Sequence, residues 1–452
     1  MLQKGYLCCD KTHTLCYKKK DNFRLRQALN YCLEAKQEKF NTALDELANQ
    51  QSKRDNSGYQ KLILIQLIGE LFGQHTLTGL LASVGIKSNQ ANKKWQKLSY
   101  KTLFSWLISS CKNAFLEEYQ VLLQQSNSTW SRQNLTLIGD ESVFRQWLEQ
   151  ATQSQDEHYH KSYSGQFCRT VWGYKCSMWG VMMNDRFYPL VIRFVKKDEK
   201  CADVAGHCFQ EMADFINKHS VGHAKPALHV SLDSGFNNAD LVSKIHQEGF
   251  RLIGVPKENH VVTYGEKKVN IKHLKQVFVE KETIHKAKEP TSVGFVWRVK
   301  VFYQLHQQAM VLLFFRFQGS QKLSVVFCSD CQASSKTIRR HWFARTCIEE
   351  FFRLLKTTLR IQESKSVDYA GFIKKFSLTC MKACFVLSLR NRVRKKVKGW
   401  AKSTWVDIRR ALAIELGLDW LQSRLNWRAF CIKDEGQAPL FHGVRQIIIS
   451  PI

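Results

Sequence analysis

The amino-acid sequence predicts an α/β protein: a core with a mixed sheet, interrupted by a β-rich insertion and flanked by helical regions at both ends. Three observations carry this. Apolar residues recur at helical spacing through the first 126 residues. Short runs rich in β-branched and aromatic residues then alternate with helical patterns. Helical spacing returns at Ser335.

Leu25, Leu29, Cys32 and Leu33 share one helix face, and Ala43, Leu44, Leu47 and Ala48 continue the spacing. The apolar KLILIQLIGELF is followed by HTLTGLLASVGIKSN, where Thr76 or Thr78 can cap a short helix. SYKTLFSWLISSCKNAFLEEY then starts from a cap at Ser99. Helix, short helix ending in glycine, loop and third helix fit either a helix-turn-helix module or a plain helical bundle. Residues 1–126 are therefore expected to be a helical N-terminal DNA-binding domain.

Residues 127–256 read as the first part of the core. LTLIGDESVF is a short apolar run ending in acids. TVWGYKCSMWGVMM and RFYPLVIRFV are strands joined at Asn184-Asp185, and Asp203 to Lys218 is helical in pattern. ALHVSLDSGF is a strand and turn, NNADLVSKIHQEG a helix ending at Gly249, and FRLIGV a last strand. Residues 257–331 look strand-like throughout, in KVNIKHL, VGFVWRVKVFYQL, AMVLLFFRF and KLSVVFC. Residues 332–395 form the second part of the core, and 396–452 a basic helical region and candidate dimerisation surface.

The balance of 68 Lys and Arg against 39 Asp and Glu leaves a charge of +29, which calls for a polyanionic partner, nucleic acid or an acidic membrane surface. Apolar stretches such as Leu62 to Ile68 and Met310 to Phe315 fall far short of the roughly 20 residues that span a bilayer. The N-terminus has no apolar signal core. A cytoplasmic protein acting on nucleic acid is expected. The 15 cysteines have no framework spacing and are read as reduced. The pair Cys328 and Cys331 lacks a second pair to complete a zinc site.

Two-metal phosphodiester chemistry needs carboxylates that converge on divalent ions. LTLIGD ends in Asp140 and LHVSLD in Asp233, each leaving a strand at its C-terminal edge, where a side chain is fixed and exposed. Either acid alone is equally well read as a turn former. In HWFARTCIEEFFRLLKTTLRIQ, Trp342, Arg345, Glu349 and Lys356 form one stripe of a regular helix, with Arg353 near its middle. Cations flanking a carboxylate suit metal and phosphate together; an ordinary solvated face with an Arg–Glu pair has the same pattern.

The spacing W-x2-R-x3-E-x6-K, with LIGDES at Asp140, SLDSGFNN at Asp233 and GVPKEN at Lys257, resembles the YREK signature and acid motifs of bacterial insertion-sequence cut-and-paste DDE transposases. The resemblance runs from about Leu135 to Gln362. It implies an RNase H-like core, with Asp140 on the first strand, Asp233 after the fourth and Glu349 on a later helix. It also implies Mg²⁺ (Mn²⁺ substituting) held by these three acids, and a β-rich insertion before the glutamate. The partners it implies are the inverted-repeat ends and target of double-stranded DNA, engaged by a homodimer in a bacterial cytoplasm.

Trp342 replaces the signature tyrosine, losing a hydroxyl while keeping a flat face. Expected DNA contacts are Trp342, Arg345, Arg353, Lys356 and Lys257. Trp297 is either a base-stacking residue or a core tryptophan. Arg394, Lys395 and Lys396 belong to the basic run Arg390 to Lys402, seven cations in thirteen residues, expected to neutralise backbone charge. A DNA-binding protein that does not cut, or a nuclease without strand transfer, fits the same residues.

Overall fold

The computed structural model describes residues 8–9, 13–14, 99–124, 135–145, 156–184, 186–220, 228–236, 238–288, 295–316, 323–363 and 368–396. The helices expected before Ser99, the Asp185 turn position and the basic region after Lys396 lie outside them. No helix among the described residues is long and apolar enough to cross a membrane.

Helix α1 (Tyr100–Leu123) starts where expected, Ser99 accepting a hydrogen bond from the Thr102 amide at 3.4 Å. Leu103, Leu107, Cys111, Phe115 and Tyr119 recur every four residues and are all buried. They pack on strand β4 (Arg186–Phe194) and on the long helix α7 (Tyr369–Lys396). This last helix of the expected N-terminal unit is thus part of the α/β core.

Apart from a separate antiparallel pair, Cys8–Cys9 with His13–Thr14, the other strands are β1 (Thr136–Arg145), β2 (Tyr159–Ser164), β3 (Arg169–Met183), β5 (His229–Leu232), β6 (Arg251–Gly254), β7 (Val261–Tyr264), β8 (Lys267–Asn270), β9 (Phe295–Tyr303), β10 (Gln308–Arg316) and β11 (Leu323–Cys328). They form one mixed sheet in the order β8-β7-β9-β10-β11-β6-β5-β1-β3-β2, with β4 on the second half of β3. Strands β1, β5 and β6 are parallel neighbours and the remaining pairings are antiparallel. Helices α2 (Cys201–His219), α3 (Ala239–Gln247) and α4 (Ile271–Lys288) share a core with one face of the sheet. The opposite face carries α5 (Ser335–Ala344), α6 (Thr346–Arg353) and α7.

Three features differ from the sequence expectation. Strand β2 was not anticipated, because YHKSYS has no apolar run; it forms through pairing with β3. Within 257–331, KVNIKHL is strand only as far as Asn270, and a helix follows from Ile271: Ile271, Leu274 and Phe278, at helical spacing, are all buried. The β-rich segment also joins the core sheet, since β11 pairs with β6. The two are tied further by the Leu252 amide on Ser329 Oγ at 2.8 Å and the Ser329 amide on Leu252 O at 2.9 Å.

Candidate active site

Strand β1 carries Ile138 and Phe144 into the core under α6 and α7. Side chains two apart share a face, so Asp140 projects on that side too. Its predecessor Gly139 lies opposite Trp179, whose ring fills the space a Cβ would need, 2.5 Å away. The indole thus covers the backbone just before the acid. Asp140 is not at the end of its strand as expected: β1 continues to Arg145 against β3, and the acid stands where the parallel pairing of β1 with β5 stops. Strand β5 ends at Leu232, opposite Gly139, so Asp233 emerges level with Asp140. Its turn is fixed by Phe236 N on Asp233 O at 3.1 Å and by the Asn238 cap of α3.

Glu349 arrives from α6. The expected uniform helix is broken: α5 ends at Arg345, α6 restarts at Thr346, and Leu354–Thr358 form a π turn. Two hydroxyls mark these points, Thr346 donating to Phe343 O and Thr357 to Arg353 O, each at 2.7 Å. Such side-chain bonds compete for helix carbonyls, and π turns recur at functional sites.

Arg345, at the junction, bridges two of the acids. Its guanidinium is 2.6 Å from Glu349 and 3.9 Å from Asp233, and lies 4.7 Å above the Trp342 ring. Trp342 therefore acts here as a flat support for Arg345, a role that needs no hydroxyl. Burial raises Asp140 to about 7; Arg345 and the Glu141 amide, at 2.8 Å, oppose this, while Asp233 and Glu349 add to it. Burial likewise lowers Lys356 to about 8, partly offset by Asp140; its ammonium is 5.5 Å from the Phe144 ring centre.

Each strand or helix acid has an acidic neighbour tied elsewhere. Glu141 is 2.7 Å from Lys175, and Glu350 holds the buried Arg390 of α7 with both oxygens, one at 3.1 Å. Arg390 is thereby a clamp between α6 and α7, correcting its place in the expected phosphate-neutralising run. Sequence reasoning missed Glu141 and Glu350; the doubled acids in GDES and IEEF were the available signal.

The other predicted contacts divide. Lys257 is exposed three residues past Gly254, which pairs with Leu232, so it stands past the same end of the parallel strands. Arg353 is exposed and lies 3.7 Å from Glu350. Trp297 is on the opposite face of the sheet, packed 5.7 Å from the Phe278 ring of α4, and does not join the acids. Arg394, Lys395 and Lys396 belong to the end of α7.

Among the described residues, no three His, Cys, Asp or Glu side chains stand close enough to hold a metal ion together as they are placed. The donor set nevertheless fits a hard divalent cation: carboxylate oxygens only, from three different segments, with Asp140 destabilised as an anion chiefly by burial and further by Asp233 and Glu349. The cation now balancing two of them is Arg345, whose buried Nε has no hydrogen-bond partner. Neither a protein-family model nor a curated protein matches the chain.

Proposed function

We propose that the chain is a DDE transposase that cuts and joins DNA strands, with Asp140, Asp233 and Glu349 as metal-holding acids on an RNase H-like core. One observation carries this reading. Three acids spread over more than two hundred residues of sequence come to one face of the sheet, Asp233 and Glu349 on Arg345 and Asp140 near enough to feel all three charges. The strand order β4-β3-β1-β5-β6, with Asp140 on the first strand of the set, supports the RNase H-like assignment. Asp233 follows the fifth described core strand rather than the fourth, the extra one being β2.

Magnesium bound by the three acids would supply Lewis-acid polarisation of the phosphate and an activated water or 3′-hydroxyl. The chain's own side chains supply the rest. Lys356 keeps an ammonium beside Asp140 and can hold a phosphate oxygen. Arg345 is shared between the acids and the DNA, so a phosphate and a metal together would draw it off Asp233 and Glu349. A homodimer on paired transposon ends in the cytoplasm is the setting this activity calls for.

The test is cleavage and strand transfer with Mg²⁺ or Mn²⁺ on DNA carrying the element's ends. Full activity in Asp140→Ala or Glu349→Ala overturns the assignment. Cleavage without joined products assigns a nuclease instead, and DNA binding without cleavage a regulator.

A further inference from the structure

The hairpin formed by β2 and β3 stands outside the chemistry above. Strand β1 continues past Asp140 to Arg145, which lies opposite Gly173, and the hairpin overshoots this point to a turn at 165–168. Cross-strand partners share a face. Tyr174 is opposite Phe144 and Tyr159, Trp172 opposite Lys161, and Thr170 opposite Tyr163. The row of side chains that includes Asp140 therefore runs on along the hairpin.

That row is aromatic. Tyr174 stacks on Phe372 of α7 at 4.2 Å, Tyr159 meets Tyr174 at 5.4 Å, and Trp172 stacks on Tyr159 at 5.7 Å. The Lys161 ammonium stands 5.4 Å from the Trp172 ring, and the row ends in Tyr163, 67% exposed. From His158 to Met183 the sequence has no acid, while it has Lys161, Arg169 and Lys175. The turn is linked to the segment after the π turn by Gln362 Nε2 on Gln166 Oε1 at 3.5 Å. An exposed ring ending a row that also carries a cation, on a framework rooted in the core, matches the stacking-and-phosphate pattern by which single strands are bound.

We infer that the β2–β3 hairpin is a track for a DNA strand leaving the acid site, with Tyr163 stacking on an unpaired base and Lys161 holding a phosphate. This rests on the DNA-cleaving reading above. Met178 lies opposite Asp140 and Thr170 opposite Tyr163. Eight residues of extended chain span about 26 Å at about 3.3 Å per residue. That length corresponds to about eight nucleotides of a strand that keeps its stacked spacing of about 3.4 Å each.

The experiment is fluorescence anisotropy of the full chain with labelled oligothymidylates shorter and longer than about eight nucleotides, with Ca²⁺ present so that nothing is cut. Wild type is expected to gain affinity once the length passes that threshold. Tyr163→Ala should remove the gain, about tenfold or more, and leave the short oligonucleotides unaffected. Tyr163→Phe should restore it, and Lys161→Gln should lower the salt slope by about one ion. Thermal midpoints check that all variants fold. A retained gain in Tyr163→Ala overturns the track while leaving the DNA reading intact. So does an equal Tyr163 dependence for a blunt duplex, or self-association that Tyr163→Ala alone abolishes. Wild type that binds no DNA at any length overturns both.

Discussion

The parallel pairing of β1 with β5 carries polar side chains at both of its ends, and the two ends are built oppositely. Just past its C-terminal end stand Asp140 and Asp233, with Glu349 and Asp233 about half exposed and Arg345 shared between these two. At the other end the first residues, Thr136 and His229, meet His341 of α5. Thr136 Oγ1 is 2.7 Å from His341 Nδ1, and the two imidazoles stack at 4.1 Å. Burial lowers His229 to about 4 and His341 to about 3, so both are neutral. One short piece of chain serves both ends, since Arg345 follows His341 by four residues. The dry, neutral end fixes where α5 sits; the wet, charged end keeps its partners exchangeable. Polar residues at a strand end thus acquire opposite meanings from hydration and charge balance, not from residue type.

The largest effect that could break this contrast is at Asp140. Asp140→Asn is expected to lower DNA cleavage by about a thousandfold or more, as loss of one carboxylate from a two-metal set requires. Its thermal midpoint should hold or rise, because an amide has no charge to desolvate. A clear fall in midpoint with activity intact would move Asp140 to the structural end of the comparison. His341→Ala should do the reverse, costing about 3 kcal/mol in urea unfolding through a cavity and a stranded Thr136 hydroxyl. A loss within about 0.5 kcal/mol would show that the stacked pair does not hold α5.

The smallest effect sharpens the contrast through pH. Histidines held below their ordinary 6.5 bind fewer protons folded than unfolded, so stability is complete above that pH and declines as pH falls toward about 4. The loss by pH 4 should be on the order of 2–3 kcal/mol for the His229 end. Melting curves of wild type and His229→Gln between neutral and acid pH measure it. Equal slopes for the two proteins would remove His229 as the cause.

Much of this was legible in sequence because local pattern and tertiary role agreed. Ser99, Gly249 and the apolar runs of β1, β3, β4 and β5 announced their elements, and Gly249 takes φ +76° as a helix end demands. The start of helix α4 was misread because Ile271 continues the β-branched pattern of strand β8, where Val269 lies, while Ile271, Leu274 and Phe278 set the helical period. The acid triad was readable as three motifs, but its meeting place depends on β1 and β5 being parallel neighbours, a pairing between distant residues. The π turn, the Glu350–Arg390 clamp and the placing of Trp297 on the far face arise only from packing.

The seam between β6 and β11 has a consequence for how the molecule is made. Leu252 and Ser329 bond across a long stretch of chain, so β6 stays an open sheet edge until the segment through Cys328 has been synthesised. Closing that edge is a late, long-range step, slower than forming the antiparallel β9–β10–β11 meander beside it. Until then the open edge is a template on which a strand of another copy can pair, and low-temperature expression is expected to raise the soluble yield.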